Sequence, residues 1–252
     1  MLRITRLHVG IAVAAQAIVG TSAWAEPACG VRTGAHTTPV VELYTSEGCS
    51  SCPPADRWLS TLKVEPATVS LAFHVDYWDR LGWTDRFASA AYTRRQAEQQ
   101  RSSGARFSYT PQVITDGVDR PDWSRIAPAV AAGTRPASRV EVQMTGDGTH
   151  YTAVVTPLEI APTALAAYWA VTEQHHVTIV KAGENGGTTL SHDNVVREYR
   201  SVPAWTITNP GTAATLAFDL TSLADPAHPR SVNLVVVDAV TGRPVQAAKL
   251  SC

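Results

Sequence analysis

The sequence contains little cysteine, little methionine and little charge. It has 4 Cys and 2 Met among 252 residues, and 17% of its residues are charged. So few cysteines exclude a small scaffold held together by many disulfides. Lys and Arg number 21 against 22 Asp and Glu, for a formal net charge of -1. Without a net positive field to attract nucleic acid or an acidic membrane, we predict neither as a partner.

Several chemical signatures are also missing. The sequence has no phosphate-binding glycine loop, no serine nucleophile elbow and no dinucleotide fingerprint, so we predict no cofactor. No apolar run reaches the about 20 residues that span a bilayer, so we predict no membrane anchor. The most apolar stretch, residues 9–20, follows Arg3 and Arg6 and precedes a small-x-small site ending at Ala25. This pattern is typical of a signal peptide, residues 1–25, and predicts a periplasmic or secreted protein.

The first half of the mature chain, residues 26–135, alternates β-rich runs with helical patterns. In the first helical pattern Ala55, Trp58, Leu59 and Leu62 recur at helical spacing. Strand candidates occupy residues 40–44, 69–75 and 111–115, and further helix candidates residues 87–101 and 123–132. Alternation of strand and helix favours parallel strands covered by helices. We therefore predict an α/β domain here.

The second half, residues 136–252, has a different texture. After a predicted linker near residues 134–138, apolar and polar residues alternate with period two. The strand candidates are residues 139–144, 151–155, 166–172, 176–181, 214–220, 232–237 and 245–250. Short strands separated by turns predict an antiparallel β-sandwich domain.

Cys49 and Cys52 form a Cys-x-x-Cys pair between the first strand and the first helix. The free N–H groups and the dipole at a helix start favour a thiolate over a thiol. We predict that Cys49, as the more exposed cysteine, is the nucleophile and that Cys52 resolves the mixed disulfide. The alternatives are a structural disulfide, a metal site and a reduced, inert pair. One Cys-x-x-Cys supplies only two of the four ligands of a closed zinc site, so we predict no metal.

The other two cysteines lie at the ends of the mature chain. Cys29 follows the predicted cleavage site closely, and Cys252 is the last residue. We predict that they form a structural disulfide, which in the chain-entropy model contributes about 4 to 5 kcal/mol because the closed loop is long.

The order strand, Cys-x-x-Cys-Pro turn, helix, followed by Tyr109-Thr110-Pro111, resembles the thioredoxin fold. That resemblance implies an α/β thioredoxin-like domain before the sandwich domain. It also implies a cis peptide bond between Thr110 and Pro111, beside the dithiol. In that arrangement Pro111 blocks metal capture and Thr110 offers backbone groups to an extended thiol substrate, so both join the predicted catalytic set.

Four motifs in order resemble the exported family called domain of unknown function 1223. They are residues 41–56, 74–83, 109–112 and 192–197. The family resemblance covers essentially the whole mature chain and implies a redox-type site without naming a substrate. The chain has Ser-Ser between its cysteines and no tryptophan before Cys49, unlike ordinary thioredoxins. The resemblance therefore supplies neither the potential nor the direction of electron flow.

His74 lies at the end of the second strand candidate and Asp76 and Trp78 follow it, near the sheet edge where ligands gather in open α/β sheets. We predict that they bind or orient a substrate, or act as acid and base. The alternative is that the carboxylates cap helices, the aromatic rings pack against the sheet and His74 is a core residue.

His192 and Asn194 lie on a polar segment of the second half, after the glycine-rich residues 183–187. We predict that this segment reaches over Cys49, narrows access to it and binds substrate. The alternative is a solvated turn whose Asp and Asn bond to their own backbone.

Together these features predict a thiol-disulfide oxidoreductase whose partner is a thiol or disulfide protein or a small thiol. Two other classes stay open. One is a periplasmic carrier of copper(I) or another soft metal, because adjacent thiolates suit such ions. The other is a non-catalytic interaction module stapled by a structural disulfide.

Overall fold

The computed structural model describes residues 29–62, 68–125 and 135–251. In these ranges the chain forms fourteen strands and two α-helices. The strands are β1 (Cys29–Arg32), β2 (Val40–Thr45), β3 (Val69–His74), β4 (Gln112–Thr115), β5 (Val118–Asp119), β6 (Val140–Gly146), β7 (His150–Pro157), β8 (Ala164–Glu173), β9 (His176–Ile179), β10 (Thr189–His192), β11 (Val195–Thr206), β12 (Ala214–Asp219), β13 (Arg230–Asp238) and β14 (Pro244–Leu250). The helices are α1 (Pro53–Thr61) and α2 (Ala90–Ser103).

The largest sheet has eight strands in the order β14-β13-β8-β11-β3-β2-β4-β5. At its centre β2 and β3 run parallel, and every residue of both strands is buried. β4 pairs antiparallel with β2, so the start of β4 lies beside the end of β2. This geometry brings the segments that follow β2 and β3 together with the segment that precedes β4.

A short parallel contact joins the two halves of this sheet. Val195, the first residue of β11, pairs with Ala72 of β3. The Ala72 N–H also donates to the carbonyl of Asn194, at 2.8 Å. Asn194 has a φ of 58°, in the left-handed region that Asn tolerates better than most residues. The tight turn at Asn194 thus directs β11 against β3 and places His192 near the end of β3.

A second sheet, in the order β1-β6-β7-β12, packs on the outer part of the large sheet. Residues of β6, β7 and β12 share one hydrophobic core with residues of β8, β13 and β14. Trp169 of β8 stacks on Phe218 of β12 in this core, with ring centroids 5.3 Å apart. These two sheets form a β-sandwich. β9 and β10 form a separate hairpin.

The two helices cover opposite faces of the central strands. Val41 and Leu43 of β2 pack with Leu59 of α1. Tyr44 of β2 packs in a different hydrophobic cluster, which includes Tyr92 of α2. Because successive side chains of a strand point to opposite faces, this alternation puts one helix on each side of β2.

The predicted fold class, an α/β thioredoxin-like domain followed by an antiparallel β-sandwich domain, is wrong. The described residues are mostly strand, with only two α-helices and several sheets. Strands of the first half share one continuous sheet with β8, β11, β13 and β14 of the second half. The physical reason is that β3 has a free edge, which β11 fills.

Most individual strands of the prediction are observed, and a turn at Asp116-Gly117 joins β4 to β5. β11 was missed because its residues beyond Val196 mix charged, polar and apolar side chains, and none of them is fully buried. The predicted helix at 123–132 is a single 3-10 turn over Trp123–Arg125, and its remaining residues lie outside the described ranges. The predicted signal peptide and Cys252 also lie outside them. No helix among the described residues is long and apolar enough to cross a membrane.

Candidate functional site

Cys49 and Cys52 form a disulfide at the start of α1, with Cα atoms 5.4 Å apart. Cys52 is the N-cap of the helix, and Pro53 and Pro54 occupy its first positions. Proline suits these positions because its fixed φ matches the helix and its missing N–H would have no partner within the helix. The local sequence therefore determines both the helix start and the position of Cys52.

Both cysteines are buried, each with 0% of its surface exposed. The prediction that Cys49 is the more exposed cysteine is therefore wrong for this disulfide-bonded state. The exposed residues of the turn are Ser50 and Ser51, between the two cysteines. A substrate approaching from solvent meets these two serines first.

A chain of hydrogen bonds reaches the sulfur of Cys49. The Thr110 hydroxyl donates to Cys49 Sγ at 3.4 Å, and the Trp78 indole N–H donates to Thr110 Oγ1 at 2.8 Å. Since an indole N–H can only donate, the Thr110 hydroxyl must accept from it and keeps its own proton for the sulfur. The peptide bond between Thr110 and Pro111 is cis, as the resemblance implied. Pro111 immediately precedes β4.

The loop between β9 and β10 contacts the cysteine turn from the other side. Asn185 is buried, and its Nδ2 donates to the carbonyls of Glu47 at 2.9 Å and Cys49 at 3.0 Å. Glu184 Oε2 accepts from the backbone N–H of Ser50 at 3.0 Å and from its hydroxyl at 2.7 Å. The second half of the chain thus holds the backbone around Cys49.

Five buried ionisable side chains lie close to one another near the cysteine turn, and we call them the acid–histidine cluster. Its members are Glu47, Asp56, His74, Asp85 and His192, which come from five different segments of the chain. His74 Nδ1 lies 2.6 Å from Asp85 Oδ2, and His192 Nε2 lies 3.6 Å from Glu47 Oε1. The rings of His74 and His192 are 5.1 Å apart between centroids.

Burial and mutual charge act against each other in this cluster. Burial lowers the pKa of His74, but the carboxylates of Asp85, Asp56 and Glu47 together outweigh that effect, so the pKa of His74 is raised. Burial raises the pKa of Asp85, but His74 and the backbone N–H groups of Glu47 and Phe87 together outweigh burial, so the pKa of Asp85 falls to about 2. Burial dominates for Asp56, whose pKa is raised. The shifts of His74 and Asp85 both favour a charged pair, whereas burial disfavours the carboxylate form of Asp56.

Some polar atoms of the cluster lack a hydrogen-bond partner. They are Glu47 Oε1, His74 Nε2 and both ring nitrogens of His192. A small cavity of about 110 Å³ is lined by Asp56 and His192, together with Pro53 and Leu190 among others. In the described ranges, no group of three or more His, Cys, Asp or Glu is arranged to hold a metal ion.

The predicted substrate-binding residues fall into two groups. His74, His192 and Asn194 are 0%, 2% and 3% exposed, so none of them is open to a substrate in this structure. Asp76 and Trp78 are partly exposed. Asp76 Oδ1 accepts from the Thr93 hydroxyl of α2 at 2.6 Å, whereas Trp78 lies beside the disulfide through Thr110.

Sequence reasoning missed the roles of Glu47, Asp56, Asp85, Glu184 and Asn185. Only Glu47 and Asp56 carry a usable signal, since they lie within a few residues of the cysteines. Asp85 and Asn185 are brought to the site by tertiary structure, and neither stands in a recognisable spacing.

The fold and the site define a β-rich protein with a Cys-x-x-Cys disulfide, held where the ends of two parallel strands meet the start of a third strand. The sequence of this chain matches the model of the DUF1223 family, described as a protein of unknown function, over residues 40–237. The chain belongs to this family.

Two solved structures are similar to the chain. Protein AGR_C_4864 from Agrobacterium tumefaciens has 28% identity and a TM-score of 0.62, and the match covers 87% of this chain and 96% of that one. HBP35 of Porphyromonas gingivalis has 14% identity and a TM-score of 0.60, with 86% of this chain and 76% of that chain covered. At this lower identity the likeness shows the fold alone. No curated protein matches the chain.

Proposed function

We propose that the chain is a thiol-disulfide oxidoreductase in which Cys49 and Cys52 alternate between a disulfide and two thiols. One observation carries the proposal: the Cys49–Cys52 disulfide is closed, and the Thr110 hydroxyl donates to Cys49 Sγ. A hydroxyl donor stabilises a thiolate on this sulfur more than a thiol, because hydrogen bonds to charged groups are the stronger ones.

The exchange balances as follows. A substrate thiol loses its proton, and its thiolate attacks Cys49 Sγ, so that a mixed disulfide forms and the Cys49–Cys52 bond breaks. Cys52 leaves with the electron pair and takes up one proton. A second substrate thiol loses its proton, and its thiolate attacks the substrate sulfur of the mixed disulfide and releases Cys49, which takes up the second proton. In total, two substrate thiols become one disulfide and the protein gains two electrons and two protons.

Trp78 and Asn185 support this step without taking part in the covalent chemistry. Trp78 orients the Thr110 hydroxyl toward the sulfur. Asn185 holds the backbone carbonyl of Cys49 and therefore the direction of the attacked side chain. We assign both as positioning residues.

The proposal places the protein outside the cytoplasm, in the periplasm or secreted. The leader pattern of residues 1–25 supports export. The disulfide supports the same location, because thiols are kept reduced in the cytoplasm. The proposed partner is a thiol or disulfide protein or a small thiol.

The reduction potential of the Cys49–Cys52 pair tests the proposal. The mature protein is equilibrated across glutathione ratios, and alkylated thiols are counted by mass. We expect a midpoint between about -120 and -270 mV, the span of known oxidoreductases. A midpoint below about -300 mV would overturn the proposal, because glutathione does not open such a bridge.

The burial of both cysteines favours a second candidate, a structural staple in a protein that acts through its sandwich surface. The same titration separates the two candidates, since a staple stays oxidised at every glutathione ratio.

A further inference from the structure

Ser50, the residue after Cys49, presents two hydrogen-bond donors on the exposed side of the cysteine turn. Its N–H and its hydroxyl both point at one carboxylate oxygen, Glu184 Oε2, at 3.0 and 2.7 Å. Glu184 lies 134 residues further along the chain, in the loop between β9 and β10. A carboxylate therefore already occupies the face on which a substrate of Cys49 would dock.

The start of α1, which follows the cysteine turn, supplies few free N–H donors besides those of Ser50. Pro53 and Pro54 lack an N–H, and the N–H groups of Ala55 and Asp56 both bond to the carbonyl of Cys52. Hydrogen bonds from Ser50 lower the pKa of the Glu184 carboxyl, so it binds in its charged form. The Ser50 donors thus hold an anionic carboxylate at this position.

We propose that Ser50 is a carboxylate subsite of the exchange reaction, that Glu184 is its internal occupant, and that the substrates are thiols with a carboxylate close to the sulfur. This inference rests on the proposed function, since it assigns the substrate class of that same site. Glu184 is exposed, and its carboxylate is held by two hydrogen bonds from Ser50, so a substrate carboxylate can replace it. Displacement also loosens the loop that covers the cysteine turn.

The reacting atoms follow from this docking. The substrate carboxylate takes the two Ser50 donors, and its thiol, having lost a proton to solvent, attacks Cys49 Sγ as a thiolate. The new sulfur–sulfur bond forms as the Cys49–Cys52 bond breaks, and Cys52 leaves with the electron pair and takes a proton from solvent.

Two variants separate occupancy of the subsite from simple charge repulsion. Glu184→Gln removes the charge but keeps an oxygen that accepts from Ser50, whereas Glu184→Ala empties the subsite. The disulfide of each full mature variant is reduced by three thiols of similar size: 3-mercaptopropionate, 2-mercaptoethanol and cysteamine, with rates corrected for thiolate concentration. Glu159→Gln, an exposed glutamate in the loop between β7 and β8, is the matched control.

We expect Glu184→Ala to accelerate reduction by 3-mercaptopropionate about tenfold relative to the other two thiols, because the substrate carboxylate then no longer competes with Glu184 for the Ser50 donors. Glu184→Gln should accelerate it clearly less, and adding Ser50→Ala to Glu184→Ala should remove most of the gain. Equal gains in the two Glu184 variants would mean charge repulsion alone and would overturn the subsite. An equal gain for all three thiols would mean only a loosened loop and would overturn the subsite as well.

A second measurement decides the subsite even if no thiol reduces the disulfide, an outcome that counts against the proposed function alone. The amide signal of Ser50 in ¹⁵N-labelled Glu184→Ala protein is followed by NMR during titration with propionate, with 1-propanol as the neutral control. A saturable shift with propionate but not with 1-propanol supports the subsite. A shift with neither compound overturns it.

Discussion

At the scale of single residues, the hydroxyls of Thr110 and Ser51 each lie 3.4 Å from the sulfur of Cys49, and the role of Thr110 can be tested directly. The Thr110 hydroxyl accepts from Trp78 and donates to Cys49 Sγ. Thr110→Val keeps the shape of the side chain but removes the donor. We expect the pKa of the Cys49 thiol in the reduced protein to rise by about one unit, because hydrogen bonds to charged groups contribute about 1.5–3 kcal/mol and one unit equals about 1.4 kcal/mol.

The pH dependence of Cys49 alkylation by iodoacetamide measures this shift. Thr110→Ser, which restores a hydroxyl at the same position, should return the pKa to the wild-type value. If Thr110→Val leaves the alkylation profile unchanged, the hydroxyl does not stabilise the thiolate.

The His74–Asp85 pair makes stability depend on pH in both directions. The folded pKa of His74 is raised above 6.5, so its contribution is complete below 6.5 and is lost as pH rises through the raised value. The folded pKa of Asp85 falls from 3.8 to about 2, so its contribution is present above 3.8 and is lost as pH falls through about 2. Both contributions are therefore present between pH 3.8 and 6.5.

We predict that Asp85→Asn lowers the free energy of unfolding by about 2 kcal/mol near pH 5, the equivalent of the pKa shift of Asp85. The loss should become smaller as pH rises through the raised pKa of His74, and smaller at pH 2. Urea denaturation of wild type and variant at these pH values measures the difference. A loss of the same size at every pH would show that the pair is not charged.

At the scale of elements, the hairpin of β9 and β10 contacts the cysteine turn, and one buried amide contributes to holding it there. Asn185 Nδ2 serves two carbonyls, those of Glu47 and Cys49. Asn185→Ala leaves both buried carbonyls without this donor, at a cost of about 1–3 kcal/mol.

We expect the buried disulfide of Asn185→Ala to be reduced by dithiothreitol about tenfold faster, since opening of the hairpin becomes easier by about 1.4 kcal/mol. Asn209→Ala, at an exposed position between β11 and β12, is the matched control and should react at the wild-type rate. An unchanged rate in Asn185→Ala would show that the hairpin does not limit access to Cys49.

At the scale of the whole molecule, a buried charged cluster joins the two halves of the large sheet. Glu42 Oε1 of β2 accepts from Arg95 of α2 at 2.5 Å and from the Tyr168 hydroxyl of β8 at 2.6 Å. The Arg95 guanidinium also lies 3.9 Å from the centroid of the Tyr168 ring. Burial, reinforced by Glu42, raises the pKa of Tyr168 well above its usual value, so the hydroxyl keeps its proton and donates.

We predict that Tyr168→Phe lowers stability by about 1.5–3 kcal/mol, because Glu42 loses one hydrogen bond to its buried charge. Since one sheet contains strands of both halves, unfolding should remain a single transition. Tryptophan fluorescence and far-ultraviolet circular dichroism should therefore give coincident curves that shift together. Two separated transitions would mean that the halves unfold independently.

The local elements and the Cys49–Cys52 pair could be predicted from the amino-acid sequence without a structure. Apolar runs predicted β2 and β3, period-two alternation predicted β6 and β7, and the Cys-x-x-Cys-Pro spacing located the disulfide at a helix start. These features depend on neighbours within a few residues, which a single sequence displays directly. Thr110 was found through a family resemblance, because nothing in its own spacing indicates contact with Cys49.

How these elements share a sheet, and which groups surround the disulfide, depends on contacts between segments far apart in the chain. β11 pairs with β3 at a single residue, Val195, and the mixed polar and apolar residues that follow Val196 give no sign of that contact. Asp85 reaches the site from the segment after β3, whereas Glu184 and Asn185 reach it from the loop of the separate β9–β10 hairpin. Pairing between distant strands depends on backbone hydrogen bonds, which every residue but proline can form, so the identity of the side chains does not reveal it.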